Sequence, residues 1–127
     1  MGHVYVDAEL IGGKGVGRFR TLVDTGTTYT MVPRRIAEEL GITSTGKRVK
    51  VLTAKGEAVL EEGIAVIRLM GEERTNVVLI SDEIEQLLIG VTTLESFGLR
   101  VDLTTGRLER VGVLLLTCIN RFITLHG

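Results

Sequence analysis

The sequence of 127 residues has no tryptophan, only one proline and one cysteine, and few aromatic side chains (4%). Because apolar residues still make up 44% of the chain, the core must be aliphatic. The single cysteine, Cys118, excludes an internal disulfide and provides no cluster of metal ligands. A formal net charge of −1 gives a nucleic-acid partner no electrostatic support. We therefore expect a globular protein without a metal, a cofactor or a nucleic-acid partner.

Long apolar segments are also missing. The C-terminal segment "VGVLLLTCINRFITLHG" is interrupted by Asn120 and Arg121 and is too short to span a bilayer. The N-terminal segment "MGHVYVDAEL" lacks the basic region and the long apolar core of a signal peptide. From these missing signals we expect a soluble, cytoplasmic protein with no membrane partner. The length predicts one domain over residues 1–127, with a core at about residues 3–113 and a tail, 114–127, of unassigned role.

The first third of the chain has the pattern of a β-hairpin. "HVYVDAEL" alternates apolar and polar residues with the period of a half-buried strand, and "FRTLV" resumes that pattern after a glycine-rich turn. The turn, "GGKGVG", superficially matches a phosphate-binding loop. No Gly-Lys-Ser/Thr follows it, however, and the next segment is strand-like rather than helical. A hairpin turn is therefore the better interpretation, and nucleotide binding is the weakest of three functional hypotheses.

The middle of the chain predicts a short helix followed by a meander of strands. "TTYTMV" is β-branched and strand-like, and "PRRIAEELGI" has proline at its start and Gly41 at its end, as a helix of about two turns requires. Three apolar runs then follow, separated by Lys55-Gly56 and Gly71-Glu72, which are typical of hairpin turns.

The segment "LLIGVTTLESFGLRVD" repeats the organisation of the first helical region. Leu87–Ile89 is a continuous apolar run typical of a buried strand, and Gly90 ends it. Thr92 and Glu95 form a capping-box pattern that predicts a short helix ending at Gly98. Apolar strand, glycine, short helix and glycine thus occur in both halves, but only the first copy, "LVDTG", carries an acid.

The tripeptide Asp24-Thr25-Gly26, preceded by "LV" and followed by Thr27, resembles the active-site signature of aspartic proteases. The later "LLIG" and its short helix resemble the apolar-apolar-glycine element of the retroviral-type, or retropepsin, branch. A tripeptide alone is weak evidence, but its order with the strands, the helices and the hairpins adds specificity. The resemblance covers residues 3–113 and is closest to single-domain cellular and prokaryotic retropepsin-like proteins. It implies a mostly β fold, a closed barrel-like half with two short helices, which is active as a homodimer.

The resemblance implies an aspartic endopeptidase whose substrate is a peptide or an unfolded protein. Metal-free peptide hydrolysis needs one group to activate water and another to polarise the carbonyl, and two carboxyl groups that share one proton do both. This sequence has one Asp-Thr-Gly, since Asp7, Asp82 and Asp102 lack the following Thr-Gly. Two chains related by a two-fold axis would therefore supply the pair, Asp24 and Asp24′.

The same resemblance assigns roles to the neighbouring residues. Thr25 would form a hydrogen bond across the dimer interface, Gly26 would allow close approach of substrate, and Thr27 would support a carboxylate oxygen of Asp24. Thr28 and Tyr29 stand where retroviral enzymes carry acids that hold the substrate backbone. The remaining predicted substrate-binding or supporting residues are Ile89 and Gly90.

The segment "VKVLTAKGEAVL", residues 49–60, is the predicted flap hairpin that closes over substrate, with its tip at Ala54, Lys55 and Gly56. An ordinary meander hairpin explains the same pattern nearly as well, and Lys55 is unusual at a flap tip. The functional alternative to the protease is a catalytically silent dimerisation or peptide-binding module on the same fold, since a fold does not decide a function.

Overall fold

The computed structural model describes residues 3–111, and within them the chain is mostly β, with nine strands and two short helices. The helices are α1 (Arg34–Leu40) and α2 (Val91–Ser96). The strands are β1 (Val4–Gly12), β2 (Gly15–Val23), β3 (Thr30–Pro33), β4 (Thr43–Thr53), β5 (Gly56–Leu69), β6 (Glu72–Ser81), β7 (Leu88–Ile89), β8 (Leu99–Asp102) and β9 (Arg107–Arg110).

Six strands close into a barrel in the order β1-β2-β7-β3-β6-β5, because β5 pairs back with β1. The seventh strand of this sheet, β4, pairs with β5 outside the ring, and β8 and β9 form a separate hairpin. Closure follows from the length of β5, whose 14 residues pair with β4, β6 and β1. Ring closure leaves the barrel without free sheet edges, and β4 is the exposed edge strand.

The barrel interior is aliphatic, as the composition predicts. Alternation along β1 and β5 directs Ala8, Leu10, Ile67 and Leu69 inward, and each of these is no more than 2% exposed. Among the described residues, the aromatic side chain of Phe97 is buried in this core and that of Phe19 packs against it, partly buried. Each Å² of apolar surface removed from water stabilises the fold by about 25 cal/mol, so this interior is the main source of stability.

The glycine-rich segment is a two-residue hairpin turn, as predicted. Gly12 pairs with Gly15, and β2 follows immediately. The amides of Gly13 and Lys14 donate hydrogen bonds of 2.9 Å to carbonyls at the end of α1, those of Gly41 and Leu40 respectively. These amides are therefore occupied by the protein itself, and no helix follows the turn, so the phosphate-loop hypothesis has no structural support.

Helix α1 ends where the sequence predicts. Gly41 adopts a left-handed conformation (φ 69°) and donates its N–H to carbonyls of the last turn, a conformation that glycine accepts without steric cost. Pro33 lies at the N-cap and is still paired in β3, rather than in the first turn.

Three local predictions were wrong. Strand β3 begins at Thr30 rather than Thr27, because the carbonyls of Thr27 and Thr28 accept hydrogen bonds from the start of α2. Thr92 is not a helix cap, since α2 begins at Val91 and the Thr92 hydroxyl donates to the Thr28 carbonyl (2.8 Å). The meander is confirmed, but both of its turns lie one residue earlier than predicted, at positions 54–55 and 70–71.

The two segments with the repeated strand–glycine–helix pattern lie side by side. Leu22 and Val23 at the end of β2 pair in parallel with Leu88 and Ile89 of β7, so the acid-bearing segment and the later segment meet at one end of the barrel.

The C-terminal part of the described chain is the β8–β9 hairpin. There Asp102 accepts a hydrogen bond from the Thr104 amide (2.9 Å), which lowers the pKa of its carboxyl. The predicted tail, residues 114–127, lies outside the described residues, and the division of the chain stays a prediction.

Candidate active site

Asp24 follows the last residue of β2 and is held on three sides. Its amide donates to the Ile89 carbonyl (2.9 Å), which anchors its backbone to β7. Its carboxylate is half-buried and accepts hydrogen bonds at both oxygens: Oδ1 from the Gly26 amide (3.0 Å) and Oδ2 from the Thr27 hydroxyl (2.9 Å). The carboxylate therefore has one orientation, set by its own loop, and Thr27 contacts the oxygen as the resemblance implies.

The loop after Asp24 is held from one side by the start of α2. The amides of Val91 and Thr92 donate to the carbonyls of Thr27 and Thr28, each at 2.9 Å. Gly90 lies so close to this loop that a Cβ atom there would be 2.5 Å from the carbonyl carbon of Tyr29. Such a distance is impossible for a side chain, which explains why glycine follows Ile89. We call residues 24–30 together with 88–93 the active-site floor.

Two buried threonines complete the floor, and sequence reasoning missed both. The hydroxyl oxygens of Thr30 and Thr93 are 2.6 Å apart, and Thr30 Oγ1 also accepts the Gly90 amide (3.0 Å). Both side chains are 0% exposed. The only signal in the sequence was a threonine on the face of α2 that should be apolar, and α2 is too short for its periodicity to reveal that face.

A cleft of about 460 Å³ lies between the active-site floor and the flap hairpin. The inward-facing side chains of the flap, among them Val49 and Val51, form one wall, while Met31 and Leu79 contribute from the barrel. The cleft is therefore open to solvent, and its lining is more apolar than polar. Its lining is Gly26, Thr27, Thr28, Tyr29, Met31, Val49, Lys50, Val51, Leu52, Thr53 and Leu79.

The predicted site residues divide into three groups. Asp24, Gly26 and Thr27 lie together, and Thr25 is exposed at the turn of the same loop. Ile89 and Gly90 are buried beneath that loop, where they support it and do not face the cleft. Thr28 lines the cleft, whereas the tip residues Ala54, Lys55 and Gly56 are exposed beyond the part of β4 that forms its wall. Their contact with substrate stays a prediction.

An ion-pair cluster joins the base of the flap to the barrel. Arg34 at the start of α1 lies 2.9 Å from Glu61 Oε1 and 2.5 Å from Asp82 Oδ1. Hydrogen bonds to Asp82 and Glu61 raise the pKa of Arg34, and a hydrogen bond from Ser44, followed by that from Arg34, lowers the pKa of Glu61. Arg34 and Glu61 therefore stay charged near neutral pH.

Among residues 3–111 there is no helix long and apolar enough to cross a membrane, and no group of three or more histidine, cysteine or acidic residues is arranged to hold a metal ion.

A family model described as aspartyl protease matches residues 6–93, which include the Asp-Thr-Gly loop, the flap hairpin and β7. The chain belongs to the aspartyl protease family. No curated protein matches it.

Solved structures show the fold that the chain shares with known proteins. This aspartyl protease family member is similar to the EIAV protease in complex with the inhibitor HBY-793, with a TM-score of 0.64 at 15% identity over 80% of this chain and 94% of that one. It is also similar to the solution structure of simian foamy virus (mac) protease, with a TM-score of 0.54 at 19% identity over 73% of this chain and 93% of that one. At these identities the likeness concerns the fold, and it confirms the retropepsin-like resemblance.

Proposed function

We propose that this family member is an aspartic endopeptidase that acts as a homodimer, with Asp24 of each protomer forming one catalytic pair. The observation that carries the proposal is the double support of the Asp24 carboxylate by the Gly26 amide and the Thr27 hydroxyl, two residues that line the cleft below the flap hairpin. A catalytic carboxylate must be held in one orientation, and these two hydrogen bonds fix both oxygens of Asp24.

The chain offers no second aspartate for this pair. Asp7 lies 3.9 Å from Arg18, Asp82 pairs with Arg34, and Asp102 caps the β8–β9 turn. Only Asp24 lies in an Asp-Thr-Gly loop. A pair of such loops therefore needs two chains, and a two-fold axis would place identical loops face to face.

In the proposed reaction the two carboxyl groups share one proton, since two like charges a few ångströms apart do not both ionise. The ionised carboxylate takes a proton from water, whose oxygen bonds to the peptide carbonyl carbon. The protonated carboxyl hydrogen-bonds to the carbonyl oxygen and stabilises its developing charge. The carbon–nitrogen bond then breaks as the leaving nitrogen takes up the proton that the first carboxylate accepted from water, which restores the singly protonated pair.

The remaining residues support this reaction in the proposal. Thr25, exposed at the turn of the loop, would bond to the other protomer, and Gly26 would leave room for the substrate backbone. The flap hairpin would close over the peptide with its tip at Ala54, Lys55 and Gly56, and would exclude water. Thr28 would contact the bound chain, while Ile89 and Gly90 would hold the loop from beneath.

The test is cleavage of an unfolded protein and of a peptide library, read by mass spectrometry from acidic to neutral pH. We expect Asp24→Asn to lower the cleavage rate by at least about 100-fold, because it removes the general acid and base. The sedimentation coefficient should stay that of the dimer. Asp7→Asn is the matched control: it neutralises an exposed aspartate on β1 and should leave the rate unchanged.

Cleavage that survives in Asp24→Asn, or a fully active monomer, contradicts the proposal. A dimer that binds intact peptides and cleaves none at any pH would instead identify the silent binding module.

A further inference from the structure

We propose that Thr30 and Thr93 are positioning residues for Asp24, and that their hydroxyl pair sets the catalytic rate without contacting substrate. This inference rests on the proposed function. The pair joins the end of the active-site loop to α2, two elements that are 63 residues apart in the sequence.

Both hydroxyl oxygens of this pair have hydrogen-bond partners inside the protein. A hydroxyl group has one donor and two acceptor positions. Thr30 Oγ1 accepts the Gly90 amide (3.0 Å) and shares a hydrogen bond of 2.6 Å with Thr93 Oγ1. Both side chains are fully buried, so water cannot replace a lost partner. Removal of either hydroxyl therefore leaves a buried polar group that must move to find another partner.

The pair lies at the junction of the two contacts that fix Asp24. On one side, Gly90 follows Ile89, whose carbonyl accepts the Asp24 amide (2.9 Å). On the other side, Thr30 ends the loop that begins at Asp24 and includes Thr27. A shift of Gly90 relative to Thr30 consequently displaces both the backbone and the supporting hydroxyl of the carboxylate.

Helix α2 provides a fixed reference for this junction. The Ser96 hydroxyl donates to the Thr93 carbonyl (2.7 Å), and the Asn76 side chain donates to Ser96 (3.3 Å), which ties the helix to β6. The amides of Val91 and Thr92 hold the loop carbonyls from the same helix. Thr93 is therefore the side chain through which the helix reaches the interior of the active-site floor.

The positions of the two threonines predict that their substitution affects kcat and KM differently. Neither threonine lines the cleft and both are 0% exposed, so substrate affinity should not depend on them directly. A displacement of the carboxylate affects the transition state far more than the bound substrate, since catalysis is sensitive to small errors in geometry. We therefore expect kcat to fall while KM stays nearly constant.

The experiment measures kcat and KM for Thr93→Val, which replaces the hydroxyl with a methyl group of similar size. We expect kcat about 10- to 100-fold lower and KM within about twofold of wild type. Thr93→Ser, which keeps the hydroxyl, should restore kcat to within about threefold of wild type. Thr21→Val is the matched control, because Thr21 is also 0% exposed and donates to the Val6 carbonyl (2.8 Å) within the barrel wall. It should lower the melting temperature and leave kcat unchanged.

A folded Thr93→Val enzyme with wild-type kcat overturns the inference, as does an equal loss of kcat in Thr21→Val. If Thr93→Val does not fold, Thr93→Ser decides: wild-type kinetics support the inference, and a kcat loss above about tenfold in this hydroxyl-retaining variant overturns it. Failure of this inference is distinguishable from failure of the proposed function. If the wild-type protein cleaves nothing, the proposed function and the inference are both overturned. If the wild type cleaves and Asp24→Asn does not, the kinetics of the threonine variants test the inference alone.

Discussion

The active-site floor and the flap hairpin form opposite sides of one cleft and are built in opposite ways. In the floor, Thr30, Ile89, Gly90 and Thr93 are buried, and hydrogen bonds join residues 60 and 63 positions apart in the sequence. In the flap hairpin no residue from 49 to 60 is buried, and Leu52 is 86% exposed. β4 pairs with β5 alone, and that pairing is irregular between Ser44 and Arg48.

The floor is thus the rigidly held side of the cleft, and the flap hairpin is the loosely held side. The floor is held by long-range contacts, and in the proposed function these would place its carboxylate within a fraction of an ångström. The flap hairpin is held by one strand pair, and in the proposed function it would have to open to admit a peptide. Substitutions in the floor should therefore change folding and kcat, whereas substitutions in the flap should change substrate affinity with little cost to stability.

The largest expected effect is that of Gly90→Ala in the floor. The added Cβ would lie 2.5 Å from a backbone carbon of Tyr29 and 2.9 Å from the Thr27 carbonyl oxygen, and neither can move freely. We expect the free energy of unfolding to fall by about 2–4 kcal/mol, measured by urea denaturation.

Gly15→Ala is the control for this substitution, because a Cβ there meets nothing within 4 Å. Its stability should stay equal or rise by up to about 1 kcal/mol. Equal stabilities for the two variants would show that the floor is not tightly packed, and the comparison would fail.

An intermediate effect is expected from Val51→Ala on the inner side of the flap hairpin. Val51 lines the cleft, so truncation should lower kcat/KM by about tenfold through weaker substrate contact. The melting temperature should change little, because Val51 is only half-buried in the free protein. Steady-state kinetics and a thermal melt measure the two quantities.

Val59→Ala provides the matched change on the outer side of the same hairpin. Val59 pairs with Lys50 in β4 and is 54% exposed. Its kcat/KM should equal that of wild type. A loss as large as that of Val51→Ala would mean that the flap does not present one defined side to substrate.

The smallest effect concerns Glu61, where the flap strand β5 joins the barrel. Its pKa in the folded protein is below the ordinary value of 4.5, so its contribution to stability is complete above pH 4.5 and disappears as the pH falls through the folded-state pKa. Glu61→Gln should therefore reduce the free energy of unfolding by about 0.5 kcal/mol at pH 7 and by almost nothing near pH 2.

Denaturation of wild type and Glu61→Gln at both pH values measures this difference. Glu39→Gln is the control, since the Arg35–Glu39 pair is longer (3.8 Å) and both side chains are exposed. An unchanged difference between the two proteins at acidic pH would contradict the prediction.

Much of the fold was predictable because its signals are local. Alternation predicts β1, glycine predicts the end of α1, and the apolar run at residues 87–89 predicts a strand at β7. The positions of the floor contacts were not predictable, since they join residues distant in sequence. The β-branched run from Thr27 indicated a strand, but hydrogen bonds from the start of α2 hold its first three residues in a loop.

The sequence by itself determined the fold family and the acid on which the proposed chemistry depends, because Asp-Thr-Gly between a strand and a helix is a contiguous pattern. Only the tertiary structure decided how distant segments meet at that acid: the carbonyl of Ile89 accepts its amide, and the Thr30–Thr93 pair joins its loop to α2. The physical reason is that a hydrogen bond acts over about 3 Å in space, and chain closure brings together groups whose separation in sequence carries no sign of it.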